Sequence, residues 1–439
     1  MSENSKSLTS DLIDQTLQDL NHDGVDRRGF LKCMAWAGTG LVWTLNGGIP
    51  TSMAFGKDKA KGHSHGAGSD FSFVQISDSH IGFNKPANPD VTATLQTAIN
   101  RINAMPQQPD FILHTGDLTH LSKPTEFDTL DQSLKSLSAK QIYFVPGEHD
   151  MLTDNGEQYL QRFGKGSKGN GWYSFDHKGV HFVGLVNVVN LKTGGLGSLG
   201  HDQLEWLEDD LKARTASTPI VLFAHIPLWT VYPEWGWGTD DSEQALSYVK
   251  RFGSVTILNG HIHQVMHKIE GIVSFHTAMS TAFPQPAPGS ASSAGPMKVP
   301  ADQLQRVLGI TNVSYLVSGS SLAIVDSPLQ GTAGTGTSMA PGAAASAAGS
   351  ASAEAAEAAE VKIDNFAFAP NPVKVKAGTQ VTWTNRDDIP HTVDSSEGKF
   401  KSAALDTDQK FQFQFKEPGE YPYFCRLHPK MTGSVIVQS

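Results

Sequence analysis

Short runs of β-branched and aromatic residues punctuate the chain from Phe71 to about Pro328, among them Phe71–Ile76, Phe111–His114, Ile142–Val145, His181–Val186 and Ile220–Ala224. Helical patterns alternate with them. This alternation predicts an α/β fold in packed layers, its strands buried on at least one face. Several runs end directly in polar, glycine-containing turns, and ligands in such folds gather at the carboxyl ends of strands. Residues 329–360 break the pattern: they are rich in Ala, Gly and Ser and cannot bury enough surface to offset chain entropy, so they read as a linker. Within it, Ala351–Glu360 carries good helix formers and is expected to be helical. From Val361 short alternating runs return in Val373–Val375, Val381–Trp383, Phe411–Phe415 and Gly433–Val437. They predict a small all-β sandwich over residues 361–439, behind a larger domain over residues 68–328.

A chain of 439 residues accommodates both domains, and its net charge of -10 argues against nucleic acid as a partner, because binding phosphate backbones needs clustered Lys and Arg. The N-terminal run Asp26-Arg-Arg-Gly-Phe-Leu-Lys32 precedes an apolar stretch from Cys33 to about Leu45, which is a twin-arginine export pattern. That stretch is well short of the ~20 residues a spanning helix needs, so no permanent membrane anchor is expected. Ser52-Met53-Ala54 offers small residues for cleavage, making residues 1–54 a signal peptide and the mature protein periplasmic or otherwise exported. Cys33 leaves with that peptide. Cys425, the other cysteine of the chain, cannot build a disulfide framework alone and calls for another explanation.

Five clusters of potential metal ligands follow the predicted strands in order: Asp78-Ser-His80, Gly116-Asp117, Gly147-Glu-His-Asp150, His225 and Gly260-His-Ile-His263. Carboxylates and imidazoles suit divalent or trivalent ions, and glycine beside a cluster lets the backbone turn sharply. The set resembles the calcineurin-like metallophosphoesterases from residue 71 to about 328, in motif and in order. The resemblance implies two central mixed sheets flanked by helices and a dinuclear site of iron, manganese or zinc. By it, Asp78, His80 and His263 would hold the first ion, Asp117 would bridge, His225 and His261 would hold the second, and Glu148 would fill the remaining position. His149 would act as acid or charge stabiliser on the substrate, its tautomer fixed by Asp150. Where the family has Asn this chain has Glu148; the added negative charge would be balanced by a trivalent ion, or it marks a domain that has drifted from hydrolysis toward metal binding. His114 reads as a buried strand residue and His120 as a neighbour of the ligands without an assigned role. The aromatic loop Trp229–Trp237 reads first as a hydrophobic cover or a docking face for the C-terminal domain, and second as a lid for an aromatic leaving group.

Near the C-terminus Cys425, His428 and Met431 share one short loop, with His391 upstream. Two imidazoles, a thiolate and a weak thioether form the ligand set of a blue-copper site, and copper would explain the solitary cysteine. Residues 361–439 resemble the cupredoxins, particularly amicyanin and plastocyanin-like domains. Together these resemblances imply an exported hydrolase acting on a small phosphoester, with a copper module that exchanges electrons with the dinuclear centre or with a redox partner protein. The alternatives are an electron-transfer or copper-binding protein on a degenerate phosphoesterase scaffold, and a redox enzyme that uses the dinuclear site.

Overall fold

The computed structural model describes residues 41–46, 49–54, 69–189, 191–317, 321–330 and 358–439. Arg27, Arg28, Cys33 and most of the Ala/Gly/Ser-rich segment lie outside the described residues. Strands β1 (Leu41–Asn46) and β2 (Ile49–Ala54) pair as an antiparallel hairpin, in a unit separate from the rest. No helix among the described residues is long and apolar enough to cross a membrane.

In chain order the front domain contains β3 (Phe71–Ile76), α1 (Val91–Asn103), β4 (Phe111–Thr115), α2 (Pro124–Leu134), β5 (Ile142–Val145), α3 (Glu157–Phe163), β6 (Tyr173–His177), β7 (Val180–Gly184), α4 (His201–Lys212), β8 (Ile220–Ala224), α5 (Ser242–Val249), β9 (Val255–Asn259), β10 (His267–Glu270), β11 (Val273–Thr277), α6 (Leu304–Val307), β12 (Gly309–Leu316) and β13 (Ser321–Pro328). The strands form two mixed sheets, ordered β13-β12-β3-β4-β5 and β10-β11-β9-β8-β7-β6. In the six-stranded sheet antiparallel pairs at both edges flank parallel strands, whereas in the five-stranded sheet β3, β4 and β5 run parallel and β12 and β13 add antiparallel at one edge.

Side-chain alternation explains the layering. Phe73 and Phe111 point between the sheets to meet Phe182 and Phe223, while Val74, Ile76 and Ile112 point outward to helices α1 and α2. Helix α1 buries Val91, Thr94, Leu95, Ala98, Ile99 and Ile102, a single face of 3.6-residue period, and Asp90 caps it by accepting the N–H of Ala93. On the second sheet Leu222 and Ile257 meet Leu207 of α4 and Val249 of α5. The result is helix, sheet, sheet, helix, with the parallel strands of both sheets ending at one edge. Truncating Phe73, which stacks on Phe111 at 4.9 Å, would cost about 3–5 kcal/mol.

The C-terminal sandwich contains β14 (Ala358–Asp364), β15 (Ala367–Ala369), β16 (Val373–Lys376), β17 (Gln380–Asn385), β18 (Asp394–Ser395), β19 (Lys410–Gln414), β20 (Gly419–Phe424) and β21 (Thr432–Gln438). Its two four-stranded sheets, β15-β14-β17-β19 and β16-β21-β20-β18, close over Val361, Trp383, Tyr423 and Val435. One expectation is corrected here. Ala358–Glu360, the last residues of the expected helix, are strand, because they lie beside β17 in parallel register and the ladder overrides the propensity of Ala and Glu.

The two domains share one compact unit and pack on each other. Leu121 and Leu152 of the front domain join the core of the sandwich, and Phe366 and Ile389 of the sandwich join the front core. The hydroxyls of Ser292 and Ser293 donate to Asn365 Oδ1 at 2.9 Å, Lys85 pairs with Asp406 at 3.4 Å, and the Gly194 N–H meets the Pro429 carbonyl. The contact is therefore a standing one, where a long linker alone would suggest a transient encounter.

Candidate metal centres

The carboxyl ends of β3, β4, β5, β8 and β9 deliver Asp78, Asp117, Glu148, His225 and His261 to adjoining positions, where Asp78, Asp117 and His225 form one close set of ligand atoms and Glu148, His225 and His261 another. Asp117 Oδ2 lies 3.4 Å from His80 Nε2 and 3.3 Å from His225 Nε2, so it reaches both halves of the cluster. Asp78 Oδ1 is 3.4 Å from His263 Nε2. Glu148 spans His225 Nε2 at 3.0 Å and His261 Nδ1 at 2.9 Å. The backbone is bent hard to do this: Asp78, His80, Asp117, His261 and His263 hold φ values of 53, 41, 47, 72 and 54°, a region that disfavours residues with a Cβ. Two glycines make room. A Cβ on Gly147 would strike the Asp117 carboxylate and backbone, and one on Gly260 would strike Ser77 and Asp78.

Hydrogen bonds to the main chain aim the imidazoles. The Nδ1–H groups of His225 and His263 donate to the carbonyls of Thr115 and Phe283 at 2.7 and 2.6 Å, which turns each Nε2 inward. Inside the cluster His225 Nε2, Glu148 Oε2 and His261 Nδ1 have no hydrogen-bond partner although they are buried. Close approach without hydrogen-bond alignment means that these atoms converge on a point, and leaving them so is costly unless a cation occupies it. Burial pushes Glu148 up, yet His261 and His225 outweigh it and hold the carboxyl well below its ordinary range. Burial lowers His225, but Asp117 and Glu148 raise it well above the usual imidazole value. Burial holds His80 well below that value, so it is a neutral donor. This donor set fits divalent or trivalent ions.

His149 and Asp150 part company. The His149 Nδ1–H donates to the carbonyl of His120 at 2.7 Å, and its own N–H donates to Asp117 Oδ1 at 3.0 Å. Asp150 does not touch the ring: its carboxylate accepts the N–H groups of Gly147, Leu118 and Thr119 and the Thr119 hydroxyl. The expected carboxylate orienter is thus replaced by a main-chain carbonyl, and Asp150 instead ties the Gly116-Asp117 and Gly147-Glu148 turns together. His120, unassigned from sequence, stacks on His149 at 5.3 Å, and His80, His120 and His149 form a further buried nitrogen cluster. Its position three residues after Asp117 was the available signal. His114 is the buried strand residue expected; burial pushes it down to about 3, and its Nε2 pairs with the Ser79 hydroxyl at 2.8 Å.

In the sandwich, Cys425 Sγ lies 3.7 Å from His391 Nδ1 and 3.6 Å from His428 Nδ1, and the two imidazole nitrogens are 3.2 Å apart. Met431 is buried beside them and closes the loop by accepting the Cys425 N–H at its carbonyl. Asp387, which sequence reasoning missed, accepts the Nε2–H of His391 at 2.7 Å and so leaves Nδ1 for a metal. Thr392 N–H donates to the sulfur at 3.3 Å. Burial would raise the thiol, but the adjacent His428 and His391 hold it well below its usual value, which makes it a ready thiolate. Two imidazoles and a thiolate converging in a buried pocket fit copper.

A cavity of about 30 Å³ at the carboxylate and histidine cluster is lined by Trp235, Phe366 and His428, so the loop that carries Cys425 and His428 forms part of its wall. A second cavity of about 130 Å³ runs from His261 and His428 along Leu427–Met431. Trp235 lines both cavities and the buried Trp237 lines the smaller one, so the aromatic loop faces the same space as Phe366 and His428 of the sandwich.

Residues 71–265 match the calcineurin-like phosphoesterase family, and residues 338–437 match the cupredoxin-like domain. The C-terminal part is 38% identical over 84 residues to amicyanin-alpha of Methylorubrum extorquens, covering 18% of this chain and 71% of that protein. The front part is 26% identical over 228 residues to the serine/threonine-protein phosphatase CPPED1 of Danio rerio, covering 44% of this chain and 70% of that one. It is also 29% identical over 198 residues to a probable cyclic nucleotide phosphodiesterase of Vesicomyosocius okutanii, covering 44% and 79%.

Proposed function

The chain belongs to the cupredoxins through its C-terminal sandwich and carries a calcineurin-like phosphoesterase domain in front of it, and on that premise we propose an exported phosphoester hydrolase whose dinuclear centre works beside a blue-copper electron-transfer site. The observation that carries this reading is the grouping of Asp78, His80 and His263, of Asp78, Asp117 and His225, and of Glu148, His225 and His261 in adjoining sets of ligand atoms, with donor atoms left unpartnered. Asp78, His80 and His263 would hold one ion, Asp117 would bridge and Glu148, His225 and His261 would hold the other, supplying an acidified water and polarised phosphoryl oxygens. His149, its Nδ1–H held by the His120 carbonyl, turns Nε2 to the cavity and would donate from it to the departing or phosphoryl oxygen as the imidazolium. Iron, manganese or zinc suits the donors, and the third carboxylate, Glu148, favours a trivalent ion in the pair. The relatives named as phosphatase and phosphodiesterase support an ester of phosphoric acid as substrate. The Arg27-Arg28 pattern supports twin-arginine export to the periplasm.

Hydrolysis of p-nitrophenyl phosphate and bis(p-nitrophenyl) phosphate by the full chain, with manganese or iron added, tests this. Turnover that vanishes in His261→Ala is expected; metal-loaded protein with no turnover would contradict it. One observation favours a second reading, an electron-transfer protein on a phosphoesterase scaffold. Glu148 lies within ion-pair distance of both His225 and His261, a contact that needs no metal. In that case the same protein binds copper alone.

A further inference from the structure

His428 faces two ways. Its hydrogen-bonding contacts run from Nδ1, toward Cys425 and His391, while the ring lines both cavities at the dinuclear cluster. Among the described residues Nε2 makes no hydrogen bond, and His149 lies within electrostatic reach of the ring. An imidazole that coordinates through Nδ1 must carry its proton on Nε2, which makes that edge an N–H donor. A neighbouring turn fixes the ring. Phe366 packs on His428 at 4.6 Å and on His391 at 5.2 Å, and its φ of 56° is a strained value for a bulky residue. Asp387 accepts the Phe366 N–H at 2.9 Å as well as the His391 ring, so the turn and the copper ligand are held by one carboxylate.

We propose that His428 serves two ligands at once, copper on Nδ1 and a phosphoryl oxygen in the dinuclear cavity on Nε2–H, so that anion binding there and the copper oxidation state are linked. The inference rests on the proposed phosphoesterase reading and goes beyond it by making a copper ligand part of the substrate site. Cupric copper carries one more positive charge than cuprous copper and polarises the N–H more strongly, so an anionic oxygen binds better to the oxidised form. Linkage is reciprocal: what binds the oxidised form better stabilises it and lowers its reduction potential.

The test is the copper midpoint potential of the full chain loaded with copper and manganese, followed by its blue absorbance with saturating inorganic phosphate or with chloride at equal ionic strength. Phosphate affinity is measured calorimetrically on the same sample. About tenfold tighter binding to the oxidised form is expected, which corresponds to a fall of about 59 mV for this one-electron couple. The fall should be absent in His261→Ala and, independently, in Asp117→Asn. Phosphate that binds without moving the potential overturns the linkage and leaves the phosphoesterase reading standing. No phosphate binding overturns both, and an equal fall in the two variants overturns the linkage as a general salt effect.

Discussion

The Nδ1 hydrogen of His149 is held by the backbone carbonyl of His120 at 2.7 Å, and that single bond decides which nitrogen the ring offers to the cavity it lines. His149→Ala should therefore lower kcat by about 10²–10⁴ while the metal content stays unchanged. Steady-state kinetics with elemental analysis checks this; an unchanged kcat would remove His149 from the chemistry.

Asp150 carries a different burden. Replacing it with Ala leaves the N–H groups of Gly147, Leu118 and Thr119 buried without an acceptor, at an expected cost of about 3–5 kcal/mol. The urea midpoint should fall accordingly. A loss of activity with unchanged stability would mean that the carboxylate acts on the substrate rather than on the turns.

Gly147→Ala should empty the front-domain metal site and spare the copper, because the three nearest atoms the added Cβ meets all belong to Asp117. Elemental analysis of the variant is the check: retention of both front-domain ions would contradict the close approach.

The copper-free protein should show a pH signature of its own. Burial would raise the Cys425 thiol from 9.0, but His428 and His391 hold it well below; burial would lower His391 from 6.5, but Asp387 and Cys425 raise it to about 9. Below pH 6.5 the unfolded chain carries a thiol and an imidazolium where the folded one carries thiolate and imidazolium. It binds one more proton, so stability climbs with pH by up to about 1.4 kcal/mol per unit. Between 6.5 and about 9 the proton counts match and this contribution is flat, and above about 9 it stays flat, because the unfolded thiol and the folded His391 lose their protons over the same range. Urea midpoints against pH should lose the low-pH climb in Cys425→Ser, and an identical climb in both proteins would refute the thiolate.

Much of the site was legible because metal ligands of the right type follow each apolar run, and strand ends are where a layered α/β fold gathers side chains. Glycines at 147 and 260 were legible for the same reason, since only they permit the close approach that the clusters need. What sequence could not reveal depended on partners distant in the chain. The acceptor for His149 is a main-chain carbonyl, which every residue possesses, so Asp150 was the natural but mistaken choice. Ala358–Glu360 became strand only because β17 lies alongside. The seating of Phe366 and His428 beside the carboxylate and histidine cluster follows from the fit of two folded surfaces, and no local pattern encodes it.

The most direct measurement is the metal content of the full chain isolated from a host that loads it natively, by elemental analysis per protein chain. Two ions of iron, manganese or zinc together with one copper are expected. Copper alone, or a single front-domain ion, would contradict a dinuclear centre built from Asp78, Asp117 and Glu148.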